Sequence, residues 1–242
     1  MISFACALIY RTIALTQGEP MFPPRQNQTS KNAIYVALRR TIIMGHHKPG
    51  ERFDVEAIAR QYSTSVTPAR DALQMLSHEG LVDIKPRSGY FVAHTTLKQL
   101  RDLLDLRRVL EIAAIELAAA RIQDGQIAEL AKAHSGYAGD DDEAYDRYTD
   151  ENRRFHYLLA RASGNNELAE TVGRLHDRLA RFMVLRHAGK TMEFTHQKVI
   201  DALEAHDVDA ARLALLDDID GTYDLIMDKV IQEEAETWPV GG

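Results

Sequence analysis

Apolar residues recur at helical spacing along most of this chain, with one short interruption where the period drops to two. Ile34, Leu38 and Ile42, with Tyr35 beside them, mark one face of a helix that Ser30 opens and Gly45 stops. Arg39 and Arg40 fall off that face, and HHKPGERF reads as a turn centred on Pro49-Gly50. Asp54 is placed to cap a second, short helix with Val55, Ile58, Ala59 and Tyr62 inward. Ser63-Thr64 form the next turn. Ser65 or Thr67 caps a third helix, with Pro68 in its first turn, where a missing N–H costs nothing. Ala72, Leu73 and Leu76 face inward, and Gly80 ends the helix. Leu81 to Ile84 and Tyr90 to Ala93 then alternate as strands around Lys85-Pro86-Arg87-Ser88-Gly89, a hairpin with a basic tip. Three helices and such a hairpin predict a winged helix-turn-helix over residues 30–95.

From Leu97 on, no strand pattern returns, and residues 96–236 predict an all-α bundle with short loops, so the fold class is mainly α. Leu97, Leu100, Leu103, Leu104, Leu106, Leu110, Ala114 and Leu117 make one long amphipathic helix. Asp124 caps the next, with Ile127, Leu130 and Ala131 inward, and GYAGDDDEAYD is a polar connection. Further helices are expected from about Glu143 to Ala162, Asn166 to His187, Thr191 to Ala205, and from Val208, with a break at Gly221. Residues 237–242 form a C-terminal tail.

Charge divides the chain at the same place. Residues 21–97 carry 10 basic against 6 acidic side chains, a net of +4, whereas residues 98–242 carry 18 against 29, a net of −11. A polyanion such as DNA would attract the first part and be repelled by the second. The one cysteine, Cys6, allows neither a disulfide framework nor a cysteine metal site. No apolar run reaches the roughly 20 residues of a membrane span, so a cytoplasmic protein is expected. The opening MISFACALIYRTIAL is apolar but has no basic residue before its apolar run, a poor match to a signal peptide. Residues 1–29 read either as a disordered tail, or as a start upstream of the natural initiator with Met21 the candidate, or as an extra helix that packs on a partner.

The start of a recognition helix enters the major groove, where Ser65, Thr67 and Arg70 can reach phosphates or base edges. Arginine pairs bidentately with guanine. Arg87, with Ser88 and Gly89 at the wing tip, is placed for the minor groove, and Arg39 and Arg40 for phosphate. Against this stands a purely structural role in which Arg70 pairs with Asp71, Asp54 or Glu56.

Residues 31–93 resemble the DNA-binding domain of the GntR family of bacterial transcription regulators. PGERF, ARQYSTSVTPARDAL, LSHEGLV and KPRSGYFV carry the resemblance in family order and spacing. Relatives often have an arginine immediately before the Thr-Pro pair. Here that position is Val66, while the arginine of the Pro-x-Arg context is present as Arg70. Residues 97–230 resemble the FCD ligand-binding domain of the FadR-like branch, through LRRVLEIAAIELAAA, NRRFHYLLARASGN and THQKVIDALEAHDVDAARLALLDDI. The resemblance implies a homodimer on a near-palindromic double-stranded DNA operator, and repression relieved by a small organic acid.

Asn152 and His156 are four apart on one helical face, and Asp218 follows His196 by 22 residues. In many relatives an Asp-x3-His pair, a lone His and a His 22 residues later hold one divalent metal. Asn152 stands here for the Asp and Asp218 for the last His. Two imidazoles, a carboxylate and an amide still suit zinc, nickel, manganese or iron. The other reading is a hydrogen-bonded core cluster without metal. By the same resemblance Arg107 would bind the effector's carboxylate, its alternative being an i,i+4 pair with Glu111, and Arg178 is a further candidate. His134, His176 and His206 read as exposed or core-edge residues, and Arg153-Arg154 as a solvated face. Neither G-x-S-x-G nor H-E-x-x-H occurs, so an enzyme is not expected. Two other readings are a metal-dependent hydrolase or lyase using His156 and His196, and a DNA binder with no effector.

Overall fold

A computed structural model describes residues 30–133, 142–185 and 189–233. The N-terminal stretch 1–29, His134, most of the polar connection and residues 237–242 lie outside those ranges, and the expectations for them stay there.

The first domain packs α1 (Ser30–Ile43), α2 (Val55–Gln61) and α3 (Val66–His78) around one core. Ile34, Leu38 and Ile42 of α1 meet Ile58 and Ala59 of α2 and Ala69, Ala72, Leu73 and Leu76 of α3. Asp54 caps α2 by accepting from the backbone N–H groups of Glu56 and Ala57. Ser65 occupies the cap position of α3 without a side-chain cap bond. The chain then turns at Gly80, where φ is +75°, a value that suits glycine. β1 (Val82–Lys85) and β2 (Gly89–Val92) pair antiparallel, Val82 opposite Val92 and Lys85 opposite Gly89. They sit one residue off the expected bounds, because the tip turn is shorter than the proline and glycine pattern implied.

Thr96 opens the second domain with a capping box, its hydroxyl accepting from Gln99 N–H while Gln99 returns to the Thr96 N–H. The bundle comprises α4 (Leu97–Ala119), α5 (Asp124–Ala133), α6 (Asp142–Ala162), α7 (Asn166–Leu185), α8 (Gly189–Glu204) and α9 (Val208–Glu233). α6 and α7 form one antiparallel hairpin around Gly164, and α8 and α9 a second around His206. α4 lies between them. Its Ile115, Ala118 and Ala119 join Phe155 and Leu159 of α6, Val199 and Leu203 of α8 and Leu215 of α9 in one core. Its Leu100, Leu103 and Leu104 join Leu179 and Phe182 of α7 and Ile226 of α9 in another.

Four expectations fail locally. α9 runs through Gly221 unbroken, since its neighbours are good helix formers and one glycine costs only about 1 kcal/mol. Leu106 and Leu117 are 43% and 39% exposed, because a helix touched on several sides has no single apolar stripe. Ala131 is exposed and Ala133 is buried in its place, and Asp124 lies in the first turn of α5 rather than before it.

The domains touch through α1. Ile43 packs with Tyr145 of α6 and Ala180 and Val184 of α7. No described helix is long and apolar enough to cross a membrane.

Leu76 is fully buried where α3 meets the rest of its domain. Leu76→Ala should lower stability by about 2–5 kcal/mol in denaturant titrations followed by circular dichroism. A loss below about 1 kcal/mol would mean that this core does not hold the reading helix.

Candidate functional site

Two sites emerge, one on each domain. In the first, α3 and the hairpin frame an open groove. Arg52, Val66, Arg70, Gln74, Lys85, Arg87, Ser88, Gly89 and Tyr90 line it, together with the acidic Asp54 and Glu56. Arg70 is exposed there and, among the described residues, makes no ion pair with Asp71, Asp54 or Glu56. Arg87 takes φ +61° at the tip, which turns the hairpin outward. Lys85 is fixed over the Phe91 ring at 4.6 Å. Gly89 takes φ +113°, a value that suits glycine, and Arg52 passes beside it. Ser65 and Thr67 are exposed at the start of α3, the end that offers unpaired backbone N–H groups to an anion. Arg52 and Gln74 escaped the sequence reading. Arg52 sits inside the PGERF block, but its approach to the hairpin is a long-range contact that local periodicity does not encode.

Arg39 does not serve phosphate. Its Nε lies 3.6 Å from Glu79, its Nη1 3.0 Å from Asp150 of α6, and its Nη2 3.1 Å from Asp177 of α7. It lost its place at the DNA face because α1 is the helix that docks on the bundle. Arg40, one residue on, is exposed. Asp177 also takes a two-point contact from Arg153, so Arg153 is no solvated-face residue. Tyr35 donates its hydroxyl hydrogen bond to Glu79. Burial, the largest influence, raises the Glu79 carboxyl, while the Tyr35 bond and Arg39 act the other way. Arg178 is exposed and lies along Gly80, with its Cγ 3.1 Å from where a β-carbon would be. It faces the DNA-binding domain, which removes it from the effector candidates.

The second site is a buried polar cluster at the centre of the bundle. Arg107 and Glu111 come from α4, Asn152 and His156 from α6, His176 from α7, His196 from α8 and Asp218 from α9. All seven are at most 3% exposed. Arg107 Nε donates to Glu111 Oε1 at 3.0 Å. Its Nη2 donates to Asp218 Oδ2 at 2.9 Å and approaches His156 Nε2 at 3.1 Å. Guanidinium can only donate, so that imidazole nitrogen is the acceptor. Thr195 donates to the other Asp218 oxygen at 2.8 Å.

His176 belongs to this cluster and is neither exposed nor at the core edge. Its Nε2 is 2.6 Å from Glu111 Oε1, and its Nδ1 is 3.5 Å from the Asn152 amide. Burial, helped by His156, pushes it down to about 4, so it is neutral at pH 7 and donates to Glu111. Burial alone would raise Glu111, but Arg107, His156 and His176 together hold it well below the ordinary range. Glu111 and His176 were missed as site residues because they meet across 65 positions of chain, which local periodicity does not encode. The i,i+4 pairing of Arg107 with Glu111 holds, yet it does not exclude a site role. His206 is exposed and leans on the Ala119 carbonyl, in line with its reading.

Two trios of ligand atoms are close enough to be tested as metal sites, Glu111-His156-His176 and His156-His196-Asp218. The first fails on ring geometry. His156 and His176 are stacked 4.4 Å apart at 19°, so their in-plane lone pairs run nearly parallel and cannot converge on one ion. The second fits better. His156 and His196 cross at 78°, and their Nε2 atoms are 3.7 and 3.8 Å from the Asp218 oxygens. Bonds of about 2.0–2.2 Å in tetrahedral geometry need donors roughly 3.3–3.5 Å apart, a small contraction. The Asn152 carbonyl oxygen is buried without a hydrogen-bond partner, as a ligand oxygen would be.

Comparison with known proteins follows these two sites. The family of bacterial regulatory proteins called gntR matches residues 30–92, and the FCD domain matches residues 102–221. The chain is 32% identical over 171 residues to the HTH-type transcriptional repressor GlaR of Escherichia coli strain K12, covering 68% of this chain and 78% of that one. It is 25% identical over 229 residues to the HTH-type transcriptional repressor RspR of the same organism, covering 92% and 96%. The solved structure of E. coli McbR/YncC shares the fold, with a TM-score of 0.66 at 20% identity over 84% of this chain and 99% of that one.

Two predictions come from the geometry. Arg70→Ala should weaken specific DNA binding by about 1–3 kcal/mol, measured by fluorescence anisotropy on a duplex selected from random sequences. An unchanged affinity would remove Arg70 from the reader. Glu79 has a folded pKa above its usual 4.5. Its stabilising contribution is therefore complete below that pH and lost as pH rises through the folded value. Glu79→Gln should flatten the decline in melting temperature above pH 4.5, and a slope equal to the wild type would assign the decline to other groups.

Proposed function

The chain belongs to the GntR family of bacterial regulatory proteins and joins its DNA-binding domain to an FCD domain, and from that premise we propose a ligand-controlled repressor. It is a DNA-binding transcriptional regulator whose relatives are regulators rather than enzymes. The proposal adds that it represses, that it acts as a cytoplasmic homodimer, and that a small carboxylic acid held with a divalent metal in the bundle controls operator binding. Two relatives named as repressors support the sign. On the DNA side, Arg52, Arg70, Lys85 and Arg87 supply cations, Ser65, Thr67, Ser88 and Gly89 supply polar contacts at the helix start and wing, and Arg40 flanks them. Val66 at the groove favours the methyl of thymine over the acceptors of guanine, so the operator should differ at that base from those read by an arginine.

In the bundle, His156, His196 and Asp218 with the Asn152 oxygen would hold the metal, which would present an open position to an acid. Arg107 would take the acid's carboxylate through two parallel bonds.

One observation carries the link between ligand and DNA. Adjacent residues on two helices serve the two sites. On α6, Asn152 faces the polar cluster and Arg153 grips Asp177. On α7, His176 faces the cluster while Asp177 holds Arg39 of the DNA-binding domain. A ligand that shifts either helix changes both contacts, and it can do so only by its differential affinity for the two arrangements.

Asp177→Asn tests this link. The variant should keep the thermal shift produced by nickel(II) with a panel of small carboxylic acids, yet lose most of the acid's effect on DNA affinity. A full acid effect in the variant would sink the link. No shift with any acid in the wild type would sink the effector, leaving the DNA-binding domain as described.

A further inference from the structure

We propose that Arg107 is the resident cation of the polar core, standing in the place a divalent metal would take, so that a metal binds only by expelling it. The inference rests on the reading of this core as a metal and acid site, and it concerns the order and coupling of events there.

A metal and Arg107 would compete for one lone pair. A metal held by His156, His196 and Asp218 needs the Nε2 lone pair of His156 and an oxygen of Asp218. Arg107 Nη2 already uses both, at 3.1 and 2.9 Å. Those two acceptors are 3.7 Å apart. Any point about 2.1 Å from each therefore lies within roughly 3.4 Å of Nη2. A dication and a guanidinium at that separation in a dry core repel strongly, and among the described residues the carboxylates of the cluster are Glu111 and Asp218. One cation or the other fits.

The displaced guanidinium has somewhere to go. Its Nε remains tied to Glu111 Oε1. Its Nη1 is buried with no hydrogen-bond partner even in the closed arrangement. Swung off Asp218, the fork would offer Nη1 and Nη2 together, the pair of parallel donors that a carboxylate takes. Arg107 is thus closed on the protein's own acid, Asp218, until a metal takes Asp218 from it. An external acid then replaces Asp218 as its partner. Metal and acid should strengthen each other's binding by the same factor. The apparent metal affinity without acid is reduced by the fraction of chains in which Arg107 is closed.

The test is nickel(II) affinity, measured by competition with a chromogenic chelator, for the wild-type chain and for Arg107→Met, with circular dichroism to confirm folding. The expected result is binding at least about tenfold tighter in the variant, because the competing cation is gone. Nickel bound by the variant but not by the wild type supports the proposal as well. Equal or weaker binding by a folded variant overturns it and leaves the metal reading intact. No nickel bound by either chain overturns both. If Arg107→Met does not fold, the nickel-loaded wild-type crystal structure decides. Nickel on His156 and Asp218, with Arg107 moved off them, supports the exchange. Nickel bound while Nη2 still contacts Asp218 overturns it.

Discussion

A guanidinium with no exposure, between two equally buried carboxylates, sets the terms for the helical domain. Taking each ion out of water costs several kcal/mol after relaxation, and only close pairing offsets that cost. Arg107 therefore has to keep α4 and α9 in register through Asp218, while Glu111 draws in α6 and α7 through His156 and His176. The apolar clusters above and below could tolerate small slides of one helix on another. The charges could not, because a slide of an ångström would strand one of them. The polar centre fixes the geometry that the apolar layers stabilise.

The same constraint explains why the two domains meet at α6 and α7. Consecutive residues on a helix point about 100° apart, since 3.6 residues make a turn. A helix that directs Asn152 or His176 into the centre must direct the next residue toward a flank. On both helices that flank is covered by α1 of the DNA-binding domain, and there Arg153, Asp177 and Arg39 form a half-buried ionic network. Arg39 is held by three acids from both domains, so its position reports the spacing between them.

What could be read from the sequence was what local spacing encodes. The periods of Ile34-Leu38-Ile42 and of Ala72-Leu73-Leu76 located the helices of the first domain, and Pro86 to Gly89 located the wing tip. Asn152, His156, His196, Asp218 and Arg107 were named through the resemblance to the family rather than from spacing alone, and all five meet in one cluster. What spacing could not give was the partner of a charge. Arg39 and Arg70 both lie on helices of the first domain beside polar neighbours. Only the packing of α1 on α7 turns one inward to Asp177 and leaves the other at the groove. His176 looked like a surface residue because α7 places acids and arginines around it, and the turn that buries it depends on α6. Gly221 looked like a break because a single glycine carries the same local signal whether a helix ends or continues.

The pairing of neighbouring residues on α6 and α7 also bears on how such a protein can change over generations. Asn152 and His176 meet the interior, while Asp177, gripped by Arg153, meets Arg39 of the other domain, so selection can act on each set separately. A lineage could exchange the interior residues while inheriting the contacts between the domains intact. It could equally drift at the groove, which Val66 lines, without disturbing those contacts. A groove and a polar core joined by such contacts can diverge at different rates.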